Sequence, residues 1–121
     1  DLSPAERNAL WLGLEGEFRP YLSAEGIPYF EKGTRWQYQM HIYENPLYYI
    51  DYCLAQTVAL QFLLKSVDDY DGAFGAYYRF LSQGGEKEFP ALVREAGLKS
   101  PFEAGALADT AARAEALLNR L

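Results

Sequence analysis

The sequence predicts an all-α protein, with five or six helices packed around one buried central helix at about residues 47–64. Three observations carry that prediction. Apolar residues return every three or four positions in successive stretches, as they do on one face of a helix. Breaks such as Pro20, Asn45-Pro46 and Gly84-Gly85 separate those stretches. No stretch alternates between apolar and polar residues in the manner of a strand. With 121 residues, 50% of them hydrophobic, the chain is long enough to bury a core as one domain, residues 1–121.

The elements follow in order. Ser3-Pro4-Ala5-Glu6 combines a capping Ser, Pro at the first helical position and Glu three residues after the cap, which predicts a helix from there to Phe18. Leu10, Leu14 and Phe18, with Trp11 beside them, define its expected buried face, and Pro20 ends it. Gly26, Pro28 and Gly33 mark a loop, or one short helical turn around Tyr29 and Phe30. Thr34 is expected to cap a second helix reaching Tyr43, with Trp36, Met40 and Tyr43 on one face and Gln37 and His41 on another.

Asn45-Pro46 breaks that helix and opens the central one. From Leu47 to Leu64 only Asp51, Gln56, Thr57 and Gln61 are polar, so burial among the other helices is expected, and those four residues argue against a membrane span. After a polar break at Ser66–Asp69 comes a fourth helix, Asp71–Ser82, with Phe74, Tyr77, Tyr78 and Leu81 at helical spacing. Phe89–Ala96 reads as a short fifth helix stopped by Gly97, and Phe102–Leu121 as an Ala-rich sixth.

Charge and cysteine content narrow the function classes. Eleven Lys and Arg against seventeen Asp and Glu leave a net charge of −6, so the long-range field repels a polyanion, and nucleic acid is not an expected partner. The single Cys53 has no partner for an internal disulfide or a metal set, which points to a cytoplasmic protein, and mid-helix among apolar residues it reads as an inert small hydrophobe. Asp68-Asp69-Tyr70-Asp71-Gly72 lacks the alternating acids and closing Glu of a calcium loop and reads as helix capping. Asp51, a carboxylate on the central helix, is expected to pair with Arg35 or Arg79. Because the first residues already open a helix, the chain is expected to start partway through a longer protein, with surface left bare for self-association through aromatic patches into a homo-oligomer.

The densest polar and aromatic cluster runs from Trp36 to Tyr52 and holds His41, the sole His. Tyr48 and Tyr52 fall one turn apart on one face of the expected helix, and the break before Pro46 can fold His41 towards them. Phenol and imidazole donors fixed in a dry cleft suit a carbonyl oxygen that gains negative charge. The plainer reading is core packing, with each polar tip hydrogen-bonded, and residue types alone favour it.

The block from Trp36 to Gln56, WQYQMHIYENPLYYIDYCLAQ, closely resembles the segment that follows the zinc site in peptidases of the oligoendopeptidase F and thimet oligopeptidase type. Two further stretches, Tyr77–Gly85 and Phe89-Pro90 to Pro101-Phe102, resemble the terminal region of the same family, so the likeness extends over most of the chain. It implies a C-terminal part of a larger helical metallopeptidase fold that hydrolyses short peptides with zinc. In that family an H-E-x-x-H helix supplies two zinc-binding His and a Glu base, and a later helix a third ligand. This sequence has neither, so no metal ligand is assigned within it, zinc is expected to be held by an upstream part of the same protein, and the chain alone is expected to be inactive. The resemblance gives His41, Tyr48 and Tyr52 catalytic roles in orienting peptide and stabilising the tetrahedral intermediate, with Tyr49, Tyr43 and Gln37 as substrate-binding neighbours; the key phenol falls on Tyr48 or Tyr49. Ile50 stands where many relatives carry a further Tyr. From another class altogether, the same residues suit a stand-alone helical module that binds a peptide or a partner helix in an aromatic groove without catalysis.

Overall fold

The computed structural model describes residues 1–120, and among these the fold is all-α, with no strand. The chain divides into two compact units, Asp1–Tyr49 and a second beginning at Ile50.

The first unit holds α1 (Pro4–Phe18), α2 (Pro28–Glu31), a 3₁₀ helix (Thr34–Tyr38) and α3 (Met40–Glu44). Helix α1 keeps its expected limits because its start is specified locally. The Ser3 hydroxyl accepts the Glu6 N–H at 3.4 Å, and the Glu6 carboxylate accepts the Ser3 N–H at 2.7 Å, which completes a capping box. Its buried face differs from the expected one. No residue of α1 is buried, and Leu10, Leu14 and Phe18 all lie open. The rest of the unit instead meets a mixed stripe one helical turn apart, Asn8, Leu12 and Glu15. Asn8 Oδ1 accepts the Trp36 indole N–H at 2.9 Å, and Glu15 pairs with Arg35 at 2.9 Å. That ion pair is a charge contact, since neither atom has directed hydrogen-bonding geometry. Between these anchors Gly33, at φ 75°, brings the backbone onto Asn8 and Leu12. Arg35 also lies over the Phe30 ring, 4.1 Å from its centroid.

The helix expected over Thr34–Tyr43 is in fact two short pieces separated at Gln39 (φ −85°, ψ 83°). Thr34 does not cap it. Its hydroxyl donates back to the Tyr29 carbonyl, leaving the first turn tight rather than α-helical.

In the second unit α4 (Ile50–Asp68) packs against α5 (Tyr70–Ser82) and α7 (Ala106–Leu118), and α5 against α6 (Phe89–Glu95). The central helix therefore starts and ends later than the expected 47–64. At its start Leu47 has φ 71°, which no right-handed helix accommodates, and the Tyr48 N–H closes a turn onto the Asn45 carbonyl. At its end Ser66 stays helical by donating its hydroxyl to the Leu63 carbonyl. The burial expected all round α4 is confined to Thr57, Val58, Phe62 and Leu64. Val58 and Phe62 join Ala76, Val93 and Ala96 in the core, with Phe80, Phe89 and Leu98 packed against it. Gln61, one of the few polar residues on α4, grips the Lys99 backbone from both sides: its amide donates to the carbonyl and accepts from the N–H, each at 2.9 Å.

Helix α5 is capped by Asp69, whose carboxylate accepts the Gly72 N–H at 3.0 Å, as the acidic run implied. Helix α6 closes as Gly97 predicted, in a Schellman arrangement with Gly97 at φ 72° and the N–H groups of Gly97 and Leu98 on the Arg94 and Val93 carbonyls. The last helix begins at Ala106 rather than Phe102, because Ser100 and Glu103 form a turn of their own, and Leu121 lies outside the described residues. Asp51 and Cys53 are both exposed, so neither plays its expected buried part, and the Arg35 offered as a partner for Asp51 is engaged by Glu15. No helix among the described residues is long and apolar enough to cross a membrane.

Candidate functional site

Three of the sequence-predicted site residues come together within the first unit. His41 stands in the opening turn of α3 and is partly buried. The turn at Asn45–Tyr48 then doubles the chain back, so that the Tyr48 ring stacks near the imidazole at 6.1 Å and 13°, and the Tyr49 ring meets it at 4.9 Å and 59°. One imidazole is thus flanked by two phenols, each half-exposed.

Tyr43 and Gln37 have neighbours of their own within the first unit. The Tyr43 ring lies tilted against the Trp36 indole, with centroids 6.1 Å apart. The Gln37 side-chain carbonyl accepts the Tyr29 hydroxyl, and that Tyr29 ring sits edge-on to Phe30 and Tyr38. Tyr52 is an exposed residue in the first turns of α4, in the second unit.

His41 and Tyr49 also line a pocket of about 340 Å³, whose other walls include Trp11, Leu14 and Phe18 of α1 and Ile42 and Leu47. Sequence reasoning missed the α1 wall. Its residues have core-like helical spacing, and nothing local distinguishes an apolar stripe that turns inward from one that borders a cleft. The Trp11 indole N–H is buried without a hydrogen-bond partner among the described residues, a state that ordinarily costs about 1–3 kcal/mol.

The chemistry open to this group is donation. An imidazole and a phenol side by side can present N–H and O–H groups to a carbonyl or carboxylate oxygen, beside a wall that is largely apolar. Among the described residues no three or more His, Cys, Asp or Glu side chains are placed to hold an ion, and the donors present do not make a zinc site.

Comparison with family models gives no match, nor does comparison with curated proteins. Solved structures do match. The chain superposes over 100% of its length on an oligoendopeptidase F structure, with TM-score 0.91 and 39% identity, and over 98% on PZ peptidase A solved with an inhibitor, with TM-score 0.88 and 42% identity. In each case it spans 21% of the larger chain. In fold along its whole length, and in sequence at about four residues in ten, the chain therefore matches one section of oligoendopeptidase F, the type of peptidase that its Trp36–Gln56 block resembles, and one section of PZ peptidase A.

Proposed function

We propose that the chain is the C-terminal section of a zinc-dependent endopeptidase acting on short peptides, and that it supplies a substrate-facing wall of the cleft. The observation that carries this reading is the likeness at 39% identity and TM-score 0.91 over every residue of the chain, combined with the convergence of His41, Tyr48 and Tyr49. In this reading zinc and its ligands belong to the other four-fifths of the protein, and zinc supplies the activated water. His41 and the phenols of Tyr48 and Tyr52 hold the carbonyl oxygen as it gains charge, while Tyr49, Tyr43 and Gln37 border the peptide. The section alone holds donors but no means of activating water, so by itself it does not hydrolyse peptides. A cytoplasmic location accords with a lone, exposed Cys53.

The test begins with the intact mass of the protein as made in its source and the coding sequence upstream of Asp1. A longer protein with an H-E-x-x-H helix supports the reading. In that protein, His41→Ala is expected to lower kcat for a fluorogenic peptide by about 10²–10³-fold, the loss typical of one oxyanion donor, with a smaller change in KM. A variant as active as its parent would remove His41 from the chemistry. A natural protein no longer than this chain would replace the peptidase reading with that of a helical binding module.

A further inference from the structure

Helix α3 carries His41 but has little of its own to hold it in place. It is five residues long, and its first turn receives no side-chain cap. Isolated helices shorter than about 12–15 residues are marginal in water, so the setting of α3 depends on what touches it. The Tyr48 and Tyr49 rings meet it at His41. The Trp36 indole meets it at Tyr43, and positions 41 and 43 stand about 200° apart around a helix. Apolar contact is not directional, so by itself it would leave the indole free to slide. A hydrogen bond removes that freedom. The Trp36 indole N–H donates to Asn8 Oδ1 at 2.9 Å, a partly buried bond between residues 28 apart in sequence. Asn8 belongs to α1, which has 15 residues and a capping box, and the same helix holds Arg35, beside Trp36, through Glu15.

We propose that Asn8 and Trp36 are positioning residues for His41. The Asn8–Trp36 hydrogen bond sets the indole, the indole sets Tyr43, and α3 then presents the imidazole at one place and angle. The inference rests on the peptidase reading and adds to it two residues that do not line the pocket shared by His41 and Tyr49. Every link is a contact between side chains of the first unit, so the line of support is complete within it. Its value to the chemistry follows from geometry. A developing oxyanion is stabilised by donors held about 2.7–3.1 Å from it, and a displacement of about 1 Å can cost about a hundredfold in rate.

The test uses the longer protein, a fluorogenic peptide and a double-mutant cycle. Asn8→Leu removes the acceptor at similar size, and Trp36→Phe keeps a ring beside Tyr43 without the N–H. Each is expected to lower kcat about tenfold, with KM changed less than about twofold. Asn8→Asp keeps an oxygen acceptor and is expected to recover most of that loss. In a His41→Ala background, Asn8→Leu is expected to lower kcat no further, because the group it positions is gone. Losses that multiply in the double variant would show that Asn8 acts on the protein at large, and would overturn the proposal. So would an unchanged kcat in both single variants, or an Asn8→Asp variant as slow as Asn8→Leu. Thermal unfolding establishes that each variant is folded at the assay temperature; if Asn8→Leu is not, Trp36→Phe takes its place in the same cycle. If the unmutated protein cleaves no peptide, or His41→Ala is as active as its parent, the peptidase reading fails; if His41→Ala is slow and the cycle shows no coupling, only the present inference fails.

Discussion

Replacing Gly33 by Ala tests how α1 is held in the first unit. Gly33 is buried at φ 75°, and a β-carbon there would overlap the Asn8 carbonyl oxygen and lie 2.7 Å from Leu12 Cγ and 2.9 Å from the Asn8 carbonyl carbon. Gly26 is the natural control. It has nearly the same φ, 79°, but nothing within 4 Å of the added atom. The left-handed conformation costs an alanine about 1–2 kcal/mol, offset by about 0.4–1 kcal/mol because alanine stiffens the unfolded chain. Gly26→Ala should therefore destabilise by about 1 kcal/mol. Gly33→Ala adds an overlap with backbone that cannot swing aside, and overpacking of this kind costs about 1–3 kcal/mol, for roughly 2–4 kcal/mol in all. At about 4 °C per kcal/mol, the expected fall in Tm is roughly 8–16 °C against about 4 °C for the control. The assay is intrinsic fluorescence, since both tryptophans, Trp11 and Trp36, lie in the first unit and report on it selectively. Equal shifts for the two variants would refute the close approach of α1 to the Gly33 backbone.

Three further outcomes are expected. Gln61→Ala removes both hydrogen bonds to the Lys99 backbone and should cost about 1–3 kcal/mol in urea unfolding followed by far-UV circular dichroism, whereas loss of the exposed Gln56 should cost under about 0.5 kcal/mol. The Ser3 hydroxyl and N–H hold the Glu6 carboxyl below the usual glutamate range. Its contribution to α1 is therefore complete above the ordinary glutamate pKa and is lost as pH falls through the lowered value; helicity should decline in that acidic window, and Ser3→Ala should flatten the decline. Exposed Leu10, Phe18, Tyr21 and Leu47 should drive concentration-dependent self-association of the isolated chain, visible in light scattering, and a constant monomer mass up to millimolar concentration would count against it.

What could be read from the sequence divides along a physical line. Features set by a few neighbouring residues were legible: the capping box that starts α1, the Asp69 cap of α5 and the Gly97 stop of α6 all lie where local rules put them. Misreadings arose where a distant partner decides. Thr34 resembles a cap but bonds backwards to Tyr29, and Leu47 resembles a helical position but turns the chain to place Tyr48 and Tyr49 around His41. The site shows the same split. The approach of Tyr48 to His41 was legible because they are near in sequence, but it was expected from a helix face shared with Tyr52 and comes instead from a turn before α4 that also brings Tyr49 to the imidazole; the Trp11–Leu14–Phe18 wall was not legible, because periodicity gives the face of a helix without saying what covers it.

The mixed stripe by which α1 is held has a consequence for how the protein responds to salt. Its inward anchors are a partly buried ion pair, Glu15–Arg35, and the hydrogen bond from Trp36 to Asn8, while Leu10, Leu14 and Phe18 lie open on other faces. Added electrolyte weakens the charged anchor by screening, yet strengthens the tendency of the open apolar side to leave water when the salt is a kosmotrope such as sulfate. The two effects act on different faces of one helix and in opposite senses. Ionic strength and anion identity thus become separate controls, the first on how firmly α1 is seated within its unit and the second on how readily it adheres to something else.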